Sequence, residues 1–264
     1  MDMTYRPETI ARHVPREPIP REVRAAYLRP GELLARMDAF PVAFAPLGTL
    51  EWHGRQNPLG CDAIKAEALC VAVAEQVGGV VMPPLFFGVD AWREAGHGLG
   101  PGMDAAVGFA LPGSFYPTPT ALFVAMLENA CRNYLDRGFR LVVLLSGHNP
   151  GIQINMMNEV CARFLTLDGR EPVTALFEFD TMPAGHPLKV PDHAGFYETS
   201  LMMHLTDRVN PKANDGQDIP ELAISTRRAL GEADPAHGAE IFRVQVETLG
   251  VYVREKYFAV VENR

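Results

Sequence analysis

Apolar runs and amphipathic stretches take turns along the chain. "PVAFAPL" (41–47) is an unbroken apolar run that ends in a polar loop, and it predicts a strand buried on both faces. "AIKAEALCVAVAEQV" (63–77) has helical periodicity, and Asp62 stands where an N-cap is expected. A short strand is predicted near 80–82, and a helix over 119–137 with Pro119 suited to its first turn. "FRLVVLLSG" then predicts a strand ending at Gly147, "IQINMMNEVCARFLTL" a helix, and "VTALFEF" another strand. After a Gly/Pro loop, "ETSLMMHLTDRV" and 239–261 predict the last helices. Strands alternating with helices define an α/β fold with a mostly parallel sheet covered on both faces. No repeat or linker divides the chain, so 1–264 is expected to be a single domain, with 1–38 as an N-terminal extension and 88–112 as a loop insertion.

Composition narrows the partners. The 264 residues are 47% hydrophobic and 21% charged, ordinary values for a globular protein. Lys and Arg number 24 against 32 acidic residues, giving a net charge of -8. Without a basic run, neither nucleic acid nor an anionic membrane is an expected partner. The first twenty residues lack the apolar stretch of a signal peptide, and no run approaches the ~18 apolar residues of a membrane span. Cys61, Cys70, Cys131 and Cys161 form no CxxC pair and read as free thiols, so a cytoplasmic location is expected.

Three loops leave predicted strands and carry metal-type side chains: 48–62, 146–151 and 181–198. In parallel sheets such loops build the site. Glu51 and His53 point to one side if the backbone is extended there, and Asp62 follows after a turn-rich segment. Carboxylate and imidazole together suit Zn, Mn or Fe, while the plainer alternative is a solvated loop with a helix cap. His148, between glycines after a strand, is placed either as a ligand or as a hydrogen-bonded turn residue. Glu198 can cap the following helix, complete a metal shell or hold a water, and His193 can donate a proton.

The motifs "PLGTLEWHGRQNPLGCD", "LPGSFYPTPTAL", "SGHNPG" and "HAGFYETS", in that order, resemble the creatininase family (creatinine amidohydrolase and relatives) over roughly 40–210. The resemblance implies a three-layer α/β/α domain with two divalent ions per subunit, Zn or Mn and sometimes Fe. By motif, Glu51 and His148 hold one ion, His53 the other, and Asp62 bridges them. Pro150 stands where creatininase has a ligating glutamate, so Glu198 becomes the further ligand or water-positioning base. His193 matches the family's catalytic histidine. The resemblance also implies a homo-oligomer, a hexamer in the family, and a small-molecule substrate.

The activity implied is hydrolysis of a small cyclic amide by metal-activated water, with His193 protonating the leaving atom. A second reading keeps the metals and opens a cyclic keto-polyol such as 3-dehydro-scyllo-inosose by cutting carbon–carbon. A non-catalytic binding protein on this fold is the third, but its mark would be a lost ligand, and all five ligand candidates are present. Departures from the family pattern bear on substrate. The family's "HGPHLP" becomes "HGRQNP", and "GHGGN" becomes "GHNPG". Arg55, Trp92, Arg93, His97, Asp104 and Asn149 are therefore candidates to touch substrate, with solvated loop surface as the alternative. Trp52 is expected to pack behind the site, and the Met156–Met157 and Met202–Met203 pairs to fill core gaps.

Overall fold

The computed structural model describes residues 5–95, 98–115, 117–214, 224 and 228–261. Its centre is a four-stranded, fully parallel sheet. β1 (Val42–Leu47) pairs with β2 (Val80–Val81) on one side and β5 (Leu141–Ser146) on the other, and β5 pairs with β6 (Val173–Phe177). Every residue of β1 and β5 is buried, which is why both read as continuous apolar runs rather than alternating ones.

The pleat sends alternate residues to two cores. Ala43, Ala45 and Leu47 of β1, with Val142 and Leu144, meet Phe123, Leu127 and Cys131 of α5 (Thr120–Asp136) and Met157 and Val160 of α6 (Gly151–Arg163). Val42, Phe44, Leu141, Val143 and Leu145 face the opposite way. They meet Leu69, Cys70 and Val73 of α3 (Cys61–Val77) and Leu249 and Val253 of α8 (Pro235–Val261). The result is three layers, as an α/β sheet with two apolar faces requires. α7 (Phe196–Leu205) packs on α8 through Phe196, Tyr197, Leu201 and Ile241. The N-terminal segment holds α1 (Pro7–His13) and α2 (Pro30–Ala39). All four cysteines are free.

Several predicted elements shift. Gly60, not Asp62, is the N-cap of α3, and Asp62 lies inside the first turn with its carboxylate turned inward. α7 begins two residues before Glu198, so that side chain also sits in a first turn. α6 stops at Arg163, and a 3-10 turn, Glu178–Thr181, replaces the end of the predicted sheet strand. The 88–112 segment is not bare loop. It forms an antiparallel hairpin, β3 (Trp92–Ala95) with β4 (Gly98–Pro101), followed by α4 (Gly102–Val107). Among the described residues, no helix is long and apolar enough to cross a membrane.

Candidate metal centre

The C-terminal ends of β1 and β5 meet the first turn of α3. Gly48 and Gly147 make this possible. A Cβ on Gly48 would lie 2.2 Å from the Ala63 nitrogen, and one on Gly147 would lie 2.1 Å from the Asp62 carbonyl oxygen. Backbone therefore touches backbone, and Asp62 is set between the two loops that leave the strands.

Asp62 directs one oxygen to each of two imidazoles. Oδ1 is 3.1 Å from His53 Nε2, and Oδ2 is 3.3 Å from His148 Nδ1. Glu51 Oε2 lies 3.1 Å from His148 Nδ1, and Glu198 Oε2 lies 3.6 Å from His53 Nε2. All five side chains are buried. The His53 ring is oriented by Nδ1, 3.1 Å from the Glu51 carbonyl, which makes Nδ1 the donor and leaves Nε2 to face the carboxylates. His148 is held through its main chain. Its N–H donates to Ser146 Oγ at 3.1 Å, that hydroxyl donates back to the His148 carbonyl, and Gln153 Nε2 donates to the same hydroxyl at 2.8 Å.

Electrostatics explain what such a cluster demands. A neutral imidazole nitrogen and an ionised carboxylate are both acceptors, so facing each other in the interior they need a cation or a proton between them. The pKa directions express that demand. Burial alone would lower His53, but Asp62 and Glu198 outweigh it and hold it up at about 9. His148 likewise overcomes burial through Glu51 and Asp62 and stands at about 10. Glu198, against its own burial, is held at about 2 by Lys65 and His53, and Asp62 is driven well below the usual range by the two histidines. Three carboxylates and two imidazoles meet here, with ligand atoms within 4.8 Å in the groups Glu51–Asp62–His148 and His53–Cys61–Asp62–Glu198, and Glu51, His53 and His193 form a third such group. Asp62 belongs to the first two. Mixed oxygen and nitrogen donors of this kind fit Zn, Mn or Fe.

A cavity of about 240 Å³ opens over the cluster, walled also by Asp90, Met103, Asn149, Pro150, Asp192 and His193. His193 is half-buried, its Nε2 2.8 Å from the Trp52 carbonyl and its ring 4.6 Å from that of His53. The next residue, Ala194, has φ 54°, the one positive value at a non-glycine among the described residues. Strain of this kind persists only where neighbours fix it. Here Gln56 Nε2 donates to the Ala194 carbonyl at 2.6 Å, and the Ala194 N–H donates to Glu198 Oε2 at 2.7 Å.

Other predicted contacts are placed differently. Arg55 is exposed and lies off the cavity, whereas Gln56 and Asn57 turn inward, Asn57 donating to Thr199 Oγ1 at 3.0 Å. Trp92 is 63% exposed and, with Asp104, lines a separate surface cavity of the insertion. Asn149 does line the site, at its exposed edge. Trp52 packs against Met103, Val107 and Leu111. His97 and the side chain of Arg93 lie outside the described residues.

Sequence reasoning missed a buried network behind Glu198. Lys65 Nζ contacts Glu198 Oε1, and it lies 3.3 Å from Glu178 Oε1 and 3.7 Å from Asp62 Oδ1. Tyr197 and Gln245 donate to Glu178 Oε2 at 3.2 and 2.6 Å. The available signal was spacing, since Lys65 follows Asp62 by three residues on the face that carries Leu69 and Val73.

Fold and site together define an α/β protein with a buried cluster of metal-ligand-type side chains at the carboxyl edge of its sheet. The creatininase (creatinine amidohydrolase) family profile matches residues 26–250, and the chain belongs to that family. Creatinine amidohydrolase of Pseudomonas putida is 28% identical over 178 residues, 62% of this chain and 64% of that protein's length, so the match spans less than two thirds of the relative. The mycofactocin precursor peptide peptidase of Mycolicibacterium smegmatis is 26% identical over 78% of this chain and 81% of its own. The 3-dehydro-scyllo-inosose hydrolase of Thermotoga maritima is 24% identical over 66% of this chain and 53% of its own. Among solved structures, an Mn form of creatininase superposes with a TM-score of 0.70 at 24% identity, covering 89% of this chain and 99% of that one. A Zn-Zn form of a creatininase mutant gives 0.69 at 22% identity, covering 89% and 98%.

Proposed function

We propose that the chain is a divalent-metal-dependent hydrolase acting on a small cyclic amide or related carbonyl compound, with two ions per subunit. The observation that carries this reading is the meeting of five buried ligand-type side chains beneath one cavity, with Asp62 shared by the Glu51–Asp62–His148 and His53–Asp62–Glu198 sets. Glu51, Asp62 and His148 would hold one ion, and His53, Asp62 and Glu198 the other. Similarity to creatinine amidohydrolase and to the Mn and Zn forms of creatininase supports the same class.

Divalent ions bound there supply a Lewis acid for the substrate carbonyl and bring the pKa of a coordinated water toward neutrality. The chain's own groups do the rest. Glu51 and Asp62 hold negative charge where a cation is needed, and the Glu51 carbonyl keeps His53 in the tautomer that presents Nε2. His193 protonates the leaving atom. With its Nε2–H engaged by the Trp52 carbonyl, Nδ1 is the nitrogen left to take up and release that proton. Assembly as a homo-oligomer, hexameric by the family resemblance, is part of the proposal, and sedimentation checks it.

One observation favours a second reading, carbon–carbon ring opening of a keto-polyol. Apart from imidazoles, no aromatic side chain among the described residues lines the cavity, and Asp90, Asn149 and Asp192 offer hydrogen bonds suited to hydroxyl groups. The relative that hydrolyses 3-dehydro-scyllo-inosose belongs to the same comparison. A panel of creatinine, other cyclic amides, a short peptide amide and keto-inositols, each with Mn or Zn, separates the readings. Cyclic amide turnover is expected. Ring opening of a keto-inositol without amide turnover would transfer the assignment, and purified protein without near-stoichiometric divalent metal would overturn both.

A further inference from the structure

One half of the centre is packed against a lysine ammonium. Among the described residues, Lys65 is the one lysine buried from solvent, at 1% exposure. It stands one helical turn after Asp62, and its ammonium reaches carboxylates from three elements: Asp62 of α3, Glu178 after β6 and Glu198 of α7. An ammonium has no lone pair, so Lys65 cannot be a ligand while protonated. What it does is claim Glu198 Oε1, while Oε2 accepts the Ala194 N–H at 2.7 Å and faces His53 Nε2 at 3.6 Å. In the other half, His148 Nδ1 lies 3.1 Å from Glu51 Oε2 and 3.3 Å from Asp62 Oδ2.

Resting on the two-ion reading above, we propose that Lys65 is a positioning residue that limits Glu198 to Oε2 and sets a fixed positive charge against the His53–Asp62–Glu198 half, making it the weaker of the two cation sites. Two effects act in one direction. A carboxylate with one oxygen taken offers fewer donors, and a like charge in a water-poor interior repels an incoming dication with little screening. The competing account is that Lys65 only neutralises Glu178, which burial pushes toward its protonated form. The two accounts predict different metal binding.

Metal-stripped protein is titrated with Mn²⁺ by calorimetry. The wild type should bind in two steps with dissociation constants at least about tenfold apart. His53→Ala should remove the weaker step and His148→Ala the tighter one. Lys65→Met combined with Glu178→Gln removes the ammonium together with the acid it would strand. In that variant the weaker step should tighten at least about tenfold while the tighter step moves less than about threefold. Glu178→Gln alone keeps the Lys65–Glu198 contact and should leave both steps within about threefold of wild type. Two equal steps in the wild type, loss of the tighter step in His53→Ala, no tightening in the double variant, or the same tightening in Glu178→Gln alone would each overturn the inference. The wild-type and His53→Ala arms decide it even if the double variant does not fold. Absence of any Mn²⁺ binding by the wild type would instead remove the metal reading itself.

Discussion

The floor of the cavity and its rim are built in opposite ways. The floor residues, Glu51, His53, Asp62, His148 and Glu198, are all buried, and strand ends, a helix turn and main-chain hydrogen bonds hold them. The rim is supplied largely by the 88–112 segment and the turn after β5, through Asp90, Met103 and Asn149. Around it Trp92, Leu99 and Phe109 are 63%, 69% and 51% exposed, while Val107 and Leu111 form a small core with Trp52 and Met103. Reaction chemistry needs positions fixed to within a fraction of an ångström, and the sheet edge provides them. Substrate choice tolerates looser support, which a segment on the surface provides.

The largest expected effect breaks the floor. Asp62→Ala should bind neither ion tightly and should lose about 10³-fold or more in turnover, read by elemental analysis and steady-state rates. A variant that still holds two ions would end the shared-ligand assignment. Next comes His193→Ala, where metal content should stay at the wild-type level and kcat should fall about 10² to 10⁴-fold. An unchanged rate would take His193 out of the reaction.

A third test uses pH on metal-stripped protein. His53 at about 9 and His148 at about 10 lie above the 6.5 of an ordinary imidazole, so folding binds protons there. The stability they contribute is full below pH 6.5 and is lost as pH rises through 9 to 10. Thermal melts should fall by several degrees over that window, and saturating Mn²⁺ should remove most of the fall because the ion replaces the protons. A flat profile without metal would mean that the imidazoles are not proton-bridged to the carboxylates.

Rim changes should be smaller and of another kind. Asp90→Ala should leave metal content intact and move KM by about three- to tenfold, a loss of substrate contact rather than of chemistry. Trp92→Ala should change kcat/KM less than about twofold, because Trp92 faces a different cavity. A large loss there would draw the hairpin into the site and erase the distinction between floor and rim.

The same division governs how far the chain could be read from its residues alone. β1 and β5 announce themselves as unbroken apolar runs, so the loops that follow them, and with them Glu51, His53 and His148, are easily placed. Asp62 was legible as a shared ligand through the family motif, but its place in the chain also read as a helix cap. An aspartate before a helical run is commonly a cap, and only the packing of α3 on Gly48 and Gly147 turns it inward. Lys65 was hidden by its type, since lysine is rarely buried and two of its three carboxylate partners, Glu178 and Glu198, come from distant segments. The β3–β4 hairpin was hidden by glycine, which lowers the strand signal even where a ladder forms. Gln56 and Asn57, polar and beside ligands, suggested substrate contact, yet they brace the strained Ala194 and the start of α7.

The contact of Gly48 and Gly147 with the start of α3 has a consequence for cation choice. The gap between Asp62 and His148 is gauged by main-chain atoms in touch, not by side chains that can swing. Ligand substitutions would then change how strongly an ion is held while leaving the preferred ionic radius in place. Replacing either glycine with alanine would do the reverse, widening the aperture and moving selectivity toward larger ions before any donor is lost.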